Sequence, residues 1–219
     1  DSFQFSSYDR RSTAPYAPGW FDNSDGFGNE PIPNVVKVLR EPGPDGVGTY
    51  LIAEVDGPGA IVRTWSPLPR PMKDRLVVTL DGSRTPIYDG DAGRFLRERP
   101  ACFSDAFDAR MPGFVQYDAS YFPVPFAQGL RIEWTGKLSD LHFHHIGVRK
   151  YEPGTEVVSF TPSDLDTYGE LIRRVSRLLS EPDKECPPPV GEAAEFDAAA
   201  DPGTTADLFA VEGTGAIRE

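Results

Sequence analysis

Short runs of alternating or β-favouring residues recur along the first 160 residues of the chain. Runs with a period of two are typical of strands that bury one face. Turn sequences rich in glycine and proline separate them, such as Glu41–Gly46 and Glu152–Gly154. The predicted strands lie at Asn34–Arg40, Thr49–Val55, Ala60–Trp65, Arg75–Leu80, Phe114–Asp118, Gly129–Trp134, Leu141–Val148 and Glu156–Phe160.

One later segment has helical spacing instead. Ser163 and Asp164 predict an N-terminal cap, and Pro182 ends the pattern. Three arginines fall largely on the opposite side from the apolar positions, which indicates a helix packed on the strands with a solvated basic face. The apolar positions are Leu165, Tyr168, Leu171, Ile172, Val175, Leu178 and Leu179.

These patterns predict an all-β protein. About eight short strands without interleaved helices favour an antiparallel jelly-roll β-sandwich with one crossover helix. Glu181–Ala206 is rich in proline, alanine, aspartate and glycine, which is typical of a linker. Beyond it, Val211–Glu219 repeats the pattern of Val55–Arg63 after 156 positions. We interpret the repeat as the start of a second sandwich, although glycine-rich turns before strands also recur by chance.

The predicted organisation therefore has four parts. Residues 1–29 form an N-terminal arm with a pocket loop, and residues 30–180 form the first jelly roll with its C-terminal helix. Residues 181–206 are the linker. Residues 207–219 are the first strand of a second jelly roll, so the chain is the first half of a double jelly roll.

Charge and hydropathy exclude two classes of partner. The formal net charge of −12 argues against nucleic acid, which needs a basic binding surface. No apolar run approaches the roughly 20 residues that span a bilayer, so we expect no membrane partner.

The sequence leaves the cellular compartment open. Asp1–Gln4 has neither the basic nor the apolar region of a signal peptide, which fits both a cytoplasmic protein and a secreted protein whose signal peptide has been removed. Secretion is favoured if the N-terminus is processed. A disulfide between Cys102 and Cys186 is left open as well.

Six motifs carry a resemblance to a known family. They are Phe5–Arg10 with Asp25–Phe27, Val55–Gly59, Arg63–Trp65, Leu80–Gly82, Tyr121–Phe126, and Leu141–Tyr151 with Pro153–Thr155. In this order they resemble glycoside hydrolase family 172. The resemblance implies a double jelly roll that assembles as trimers or hexamers. It also implies an anomer-retaining, exo-acting hydrolase of furanosides such as fructofuranosides or arabinofuranosides.

The chain also departs from the family pattern. The resemblance implies that the two catalytic glutamates lie in the second jelly roll, so we predict no catalytic residue here. Ser83 stands where the family hairpin carries glutamate, and Arg11–Pro15 replaces a Gly-Gly-Asn run. The first jelly roll would therefore act as scaffold and oligomerisation platform and lend a few residues to the pocket.

The candidate substrate-binding residues are acidic and aromatic. Carboxylates accept hydrogen bonds from sugar hydroxyls, and aromatic rings cover the apolar face of a sugar. Asp9, Asp22 and Asp25 share one segment with aromatic residues. The alternative is a solvated surface loop, and for Trp65 a place in the core. The predicted substrate-binding residues are Tyr8, Asp9, Arg10, Asp25, Phe27 and Trp65.

The run His142–His145 is the other chemical candidate. On a strand, His142 and His144 point the same way, and two such histidines in a jelly roll can bind a divalent metal, as in cupins. That pattern also needs a glutamate soon after the second histidine, and the first acid here is Glu152. Hydrogen-bonded strand histidines are favoured, and we predict no metal and no cofactor.

Three functions fit these observations. The leading hypothesis is the N-terminal half of a retaining, exo-acting furanoside hydrolase, with carbohydrate and further copies of itself as partners. The second is a non-catalytic structural subunit of a double jelly-roll assembly, either a shell or a filament. The third is a carbohydrate-binding sandwich without turnover.

Overall fold

The strands of the computed structural model form two antiparallel sheets. It describes residues 1–7, 35–67, 73–108, 111–141, 143–185, 199 and 201–205. Sheet A has the order β1-β11-β4-β8-β7, with β9 also paired to β4, and sheet B has the order β2-β3-β10-β5-β6. The strands are β1 (Ser2–Ser6), β2 (Lys37–Arg40), β3 (Val47–Asp56), β4 (Gly59–Trp65), β5 (Arg75–Leu80), β6 (Tyr88–Asp91), β7 (Val115–Gln116), β8 (Ala119–Ser120), β9 (Val124–Phe126), β10 (Gly129–Lys137) and β11 (His145–Lys150).

The core lies between the two sheets. On β10, Leu130, Ile132 and Trp134 are buried, whereas the residues between them are half-buried. Strand β5 alternates in the same way. Sheet A contributes Ile61 and Ile146 to the same cluster, and both are fully buried. One face of each sheet thus points inward, which confirms the predicted all-β sandwich.

A short helix and a set of aromatic rings fill the space between the sheets. Helix α1 (Ala92–Arg97) follows β6 directly and buries Phe95 and Leu96 completely. The Phe95 ring contacts Phe103 edge-on at 6.0 Å between centroids, and Phe103 contacts Phe160 at 4.9 Å. Such tilted and edge-on contacts are the preferred geometries of aromatic pairs. The segment after β6 is therefore part of the core.

The predicted helix is present, as two consecutive helices. Helix α2 (Asp164–Thr167) and helix α3 (Gly169–Ser180) meet at Tyr168, and a further turn, α4 (Pro182–Glu185), follows. Leu165 is buried, and Ile172 and Val175 pack against the core, as the apolar pattern predicts. The prediction is wrong for three members of the pattern that are each 55% exposed, namely Tyr168, Leu171 and Leu179. The Ser163 side chain makes no capping hydrogen bond; instead, Asp164 Oδ2 accepts one from the Thr161 backbone N–H at 2.8 Å.

Two predictions about strands are wrong. Glu156–Phe160 does not form a strand. Within this segment only Phe160 donates a backbone hydrogen bond to another part of the described chain, to the Pro125 carbonyl at 2.9 Å. Strand β11 begins at His145, so Phe143 and His144 lie before it. In the described part of the chain, no helix is long and apolar enough to cross a membrane.

Candidate functional site

Three strand ends meet at one end of sheet A. Ser6 at the end of β1 pairs with His145 at the start of β11, and His145 pairs with Trp65 at the end of β4. The Ser7 backbone N–H donates to the His144 carbonyl at 3.3 Å, and the His144 N–H donates to Ser7 Oγ at 3.3 Å. These bonds fix the chain at the residue that directly precedes the predicted site residue Tyr8.

Most of the predicted substrate-binding residues lie outside the described residues. This holds for Tyr8, Asp9, Arg10, Asp25 and Phe27, whose roles stay predictions. Cys186, the linker's central part and the proposed second-sandwich strand lie outside them as well.

Trp65 is the predicted substrate-binding residue that the structure describes. It is half-buried and is absent from the hydrophobic core cluster. Its neighbour Thr64 points inward and is fully buried. Because side chains alternate along a strand, Trp65 lies on the outer face of sheet A.

Three further side chains share this outer face with Trp65. The rings of Trp65 and His145 lie 5.0 Å apart between centroids, inclined by 48°. Arg63 is two residues before Trp65 on β4, and its guanidinium carbon lies 5.9 Å from the centre of the Tyr121 ring. Tyr121 is 39% exposed. We call Arg63, Trp65, Tyr121 and His145 the outer-face cluster.

The electrostatics of the outer-face cluster favour a neutral imidazole. Burial lowers the pKa of His145, and the positive charge of Arg63 lowers it further. His145 Nδ1 is buried and has no hydrogen-bond partner within the described part of the chain. Arg63 likewise forms no ion pair with a described carboxylate. For these two side chains the described part of the chain therefore shows no polar partner.

A buried arginine on the inner side holds the strands of the cluster together. Arg99 Nη2 donates to Thr64 Oγ1 on β4 at 2.8 Å and to the Ser120 carbonyl on β8 at 3.2 Å. Its guanidinium carbon lies 4.9 Å from the centre of the Phe95 ring. Complete burial lowers the pKa of Arg99 to about 10. Arg99 thereby links β4, which carries Trp65, to β8, which directly precedes Tyr121.

The other described histidine is a structural residue. His144 is buried, and its Nδ1 lies 3.1 Å from the Leu141 carbonyl oxygen. A carbonyl oxygen only accepts, so Nδ1 carries the proton. His144 is thus hydrogen-bonded as expected, although it is not on a strand, and His142 lies outside the described residues. No group of three or more His, Cys, Asp or Glu among the described residues could hold a metal ion.

Two carboxylates on sheet B, Glu54 and Glu133, form ion pairs with an arginine. Arg131 binds Glu54 Oε1 through Nη1 at 2.6 Å and Glu133 Oε1 through Nε at 2.7 Å. A retaining hydrolase needs two carboxyl groups about 5–5.5 Å apart, one to attack the sugar and one to donate a proton. Here both carboxylates are bonded to one guanidinium instead of facing a sugar as a free pair.

Asp81 in the predicted Leu80–Gly82 hairpin also has a structural role. Its Oδ1 accepts hydrogen bonds from the backbone N–H groups of Gln128 at 2.6 Å and Gly129 at 3.1 Å. Its Oδ2 accepts a short hydrogen bond from Ser159 Oγ. The carboxylate is fully used in joining the hairpin to β10.

Of the outer-face cluster, the sequence predicts a substrate-binding role only for Trp65, and that role stays a prediction. Arg63 and Tyr121 stand out only within family motifs, and His145 only within the histidine run. The signal was present, because Arg63 and Trp65 stand two residues apart on a predicted strand and so share a face. Tyr121 and His145 come next to Arg63 and Trp65 only through the pairing of strands, and the pattern within one strand does not predict which strands pair.

Comparison with known proteins identifies one family. Residues 1–168 match the family model described as the GH172 first beta-sandwich domain. A comparison with curated protein sequences finds no match.

Proposed function

The chain belongs to glycoside hydrolase family 172, and from this premise we propose that it is the N-terminal part of a retaining, exo-acting furanoside hydrolase. Its substrates are of the fructofuranoside or arabinofuranoside type. The observation that carries the proposal is the family match across residues 1–168, about three quarters of the chain.

In this proposal, catalysis and substrate binding involve two sandwiches with different roles. Retaining hydrolysis uses one carboxylate as nucleophile and one carboxylic acid as proton donor. Glu54 and Glu133 are held by Arg131, and Asp81 is held by backbone N–H groups, so these carboxylates do not suit either role. The catalytic glutamates come from a second jelly roll. The first sandwich serves as scaffold and oligomer contact.

The first sandwich also lends residues to the pocket. Ser7 is bonded to His144 beside the start of β11 and directly precedes the segment that carries Tyr8, Asp9 and Arg10, and Trp65 pairs with His145 at the same place. This closeness supports a common sugar-binding role for the segment and for Trp65. Asp25 and Phe27 join them in the proposal because they belong to the same N-terminal motif.

The direct test is an activity panel with the natural protein in its full length. We expect release of furanose from aryl fructofuranosides or arabinofuranosides, no cleavage of the matching pyranosides, and no loss of activity with a metal chelator. The 219-residue chain should be inactive on every substrate, because the proposal places both catalytic groups outside it. Turnover by the 219-residue chain, or cleavage of pyranosides alone, would overturn the proposal.

Two substitutions test the pocket residues in the full-length protein. Asp9→Asn and Asp25→Asn replace a carboxylate that accepts two hydroxyl bonds by an amide that accepts fewer. We expect a fall in kcat/KM of roughly tenfold or more in each, with unchanged thermal unfolding. Asp105→Asn, at an exposed turn position, is the matched control. Equal kcat/KM in all three variants would remove Asp9 and Asp25 from the site.

The structural-subunit hypothesis is the alternative outcome of the same panel. A full-length protein that cleaves no furanoside but forms ordered polymers in electron micrographs would be a structural subunit.

A further inference from the structure

We propose that the outer-face cluster is a binding site for one neutral sugar ring. In this site the Trp65 ring covers the apolar face of the sugar, while His145 and Arg63 bond its hydroxyls. The inference rests on the proposed function for its choice of furanosides as ligands. It assigns roles to Arg63, Tyr121 and His145, and it does not depend on the N-terminal segment.

The strand register gives the site the dimensions of a single ring. Trp65 and His145 are direct cross-strand partners, and adjacent strands lie about 4.8 Å apart. Arg63 and Trp65 are two residues apart on β4, which corresponds to roughly 7 Å. The backbone N–H of Tyr121 donates to the Phe114 carbonyl at 2.7 Å, which fixes Tyr121 beside Arg63. Backbone spacings of about 5 and 7 Å are comparable to the size of one sugar ring.

A glycine, Gly147, places no side chain at the centre of this area. Gly147 pairs with Arg63 on one side and with Gln4 on the other, so it lies in the row next to Trp65 and His145. A Cβ added at Gly147 would lie 3.5 Å from Arg63 Cβ, an ordinary van der Waals contact. Among the described residues nothing closer than ordinary contact distance opposes a Cβ there, and a ligand could use the surface that the glycine leaves without a side chain.

The polar groups of the cluster have unused hydrogen-bonding capacity. A buried polar atom without a partner is costly, and His145 Nδ1 is such an atom within the described part of the chain. The chain has 34 acidic and 22 basic residues, yet Arg63 pairs with no described carboxylate. Its five N–H groups suit a polyol with several acceptor oxygens. Hydroxyl groups of a sugar would satisfy both side chains.

The aromatic rings supply the complementary apolar surface. Trp65 is half-buried, so part of its side chain is accessible, and its ring is tilted by 48° to the His145 ring. Tyr121 is 39% exposed beside Arg63. Sugar sites combine such apolar surfaces with a few placed polar groups. The four side chains provide both kinds of contact within one face.

The main test fills the open space without removing any side chain. Gly147→Val should raise KM of the full-length protein for its furanoside roughly tenfold and leave kcat within about threefold, because the cluster binds sugar but lacks the catalytic carboxyls. Tyr168→Ala, which alters an exposed tyrosine on the helical side, is the control and should leave both constants unchanged. Unchanged KM in a folded Gly147→Val protein would overturn the inference.

A second pair of variants keeps the test valid if valine prevents folding. His145→Phe retains a ring but loses both nitrogens, whereas His145→Asn keeps a polar group near the position of Nδ1. We expect weak binding of free arabinose or fructose by His145→Phe and partial recovery in His145→Asn, both measured by isothermal titration calorimetry. Equal affinity in wild type and His145→Phe would overturn the role of His145.

The two proposals fail in different ways. If the wild-type protein cleaves furanosides and the cluster variants match it in KM, the furanosidase proposal stands and the sugar site is lost. If the wild type cleaves none but binds a free sugar that Gly147→Val does not bind, the sugar site stands and the furanosidase proposal is lost.

Discussion

At the scale of single residues, Asp81 determines how one end of sheet B is held. The residue has a φ of +55°, and Gly82 after it has a φ of +65°, which together fit a type I′ turn. Burial by itself raises the pKa of Asp81, but the hydrogen bonds from Ser159 and from the backbone of Gln128 and Gly129 outweigh it and lower the pKa. The ionised carboxylate therefore stabilises the fold.

Asp81→Asn should lower the free energy of unfolding by about 1.5–3 kcal/mol at pH 7, since hydrogen bonds to a charged group are lost. A pKa lowered in the folded state gives stability that is present above the unfolded value near 3.8 and is lost as pH falls. The difference between wild type and variant should thus shrink from pH 5 to pH 3 in urea denaturation. Asp89→Asn, which breaks the exposed Arg75–Asp89 pair, should cost less than about 1 kcal/mol. Equal losses in the two variants would contradict this account.

Arg99 gives a second prediction at the residue scale. Its Nε and Nη1 are buried without a hydrogen-bond partner among the described residues, so its charge is only partly compensated. Arg99→Met should therefore change the free energy of unfolding by about 1 kcal/mol or less, because an apolar side chain of similar length avoids the desolvation cost. Arg99→Ala should cost about 3 kcal/mol through the cavity it leaves. Denaturation curves of similar midpoint for the two variants would argue against this explanation.

At the scale of elements, sequence patterns predicted the long strands and missed the short ones. Arg75–Leu80 is predicted with its observed bounds, because six residues show a clear period. Strands β8 and β9 have two and three residues and thus no measurable period, whereas β7 lies inside the predicted strand Phe114–Asp118. The error at Glu156–Phe160 has another cause: Ser159 Oγ bonds to Asp81 and to the Ala127 N–H, so side chains rather than a ladder hold this segment.

The contact of helix α3 with the sandwich depends on one glycine. Gly113 donates its N–H to Ser176 Oγ at 3.0 Å, and a Cβ at Gly113 would overlap the backbone of Ser176. Gly113→Ala should therefore displace the helix and cost about 2–4 kcal/mol of stability. Trypsin should also cleave the variant faster at Arg173, Arg174 or Arg177.

Gly147→Ala is the matched control for this prediction. Its new Cβ would meet Arg63 at an ordinary contact distance, so we expect a change of about 1 kcal/mol or less. The same loss in both variants would show that the close approach of Gly113 and Ser176 is unimportant.

At the scale of the whole molecule, the all-β fold followed from strand patterns and the family from ordered motifs, whereas the assembly is a proposal. Strand β1 pairs with β11 and lies at the edge of sheet A, and its Phe3 is 44% exposed. An edge strand with an exposed apolar side chain is suited to contact another subunit. Light scattering of the full-length protein at micromolar concentration should show a trimer or hexamer.

Phe3→Glu should weaken that assembly without a matching loss of stability, whereas Tyr168→Ala on the helical side should leave the molar mass unchanged. A stable wild-type monomer would rule out the proposed oligomer. A Phe3→Glu protein of unchanged molar mass would place the contact elsewhere.

The stereochemistry of cleavage tests the central claim most directly. Proton NMR during hydrolysis of a fructofuranoside or arabinofuranoside by the full-length protein identifies the anomer formed first, before mutarotation. The account predicts that this product keeps the anomeric configuration of the substrate, because a nucleophilic carboxylate and an acid/base carboxyl act in two successive displacements. A first product of inverted configuration, or no furanose release under any condition of the panel, would contradict it.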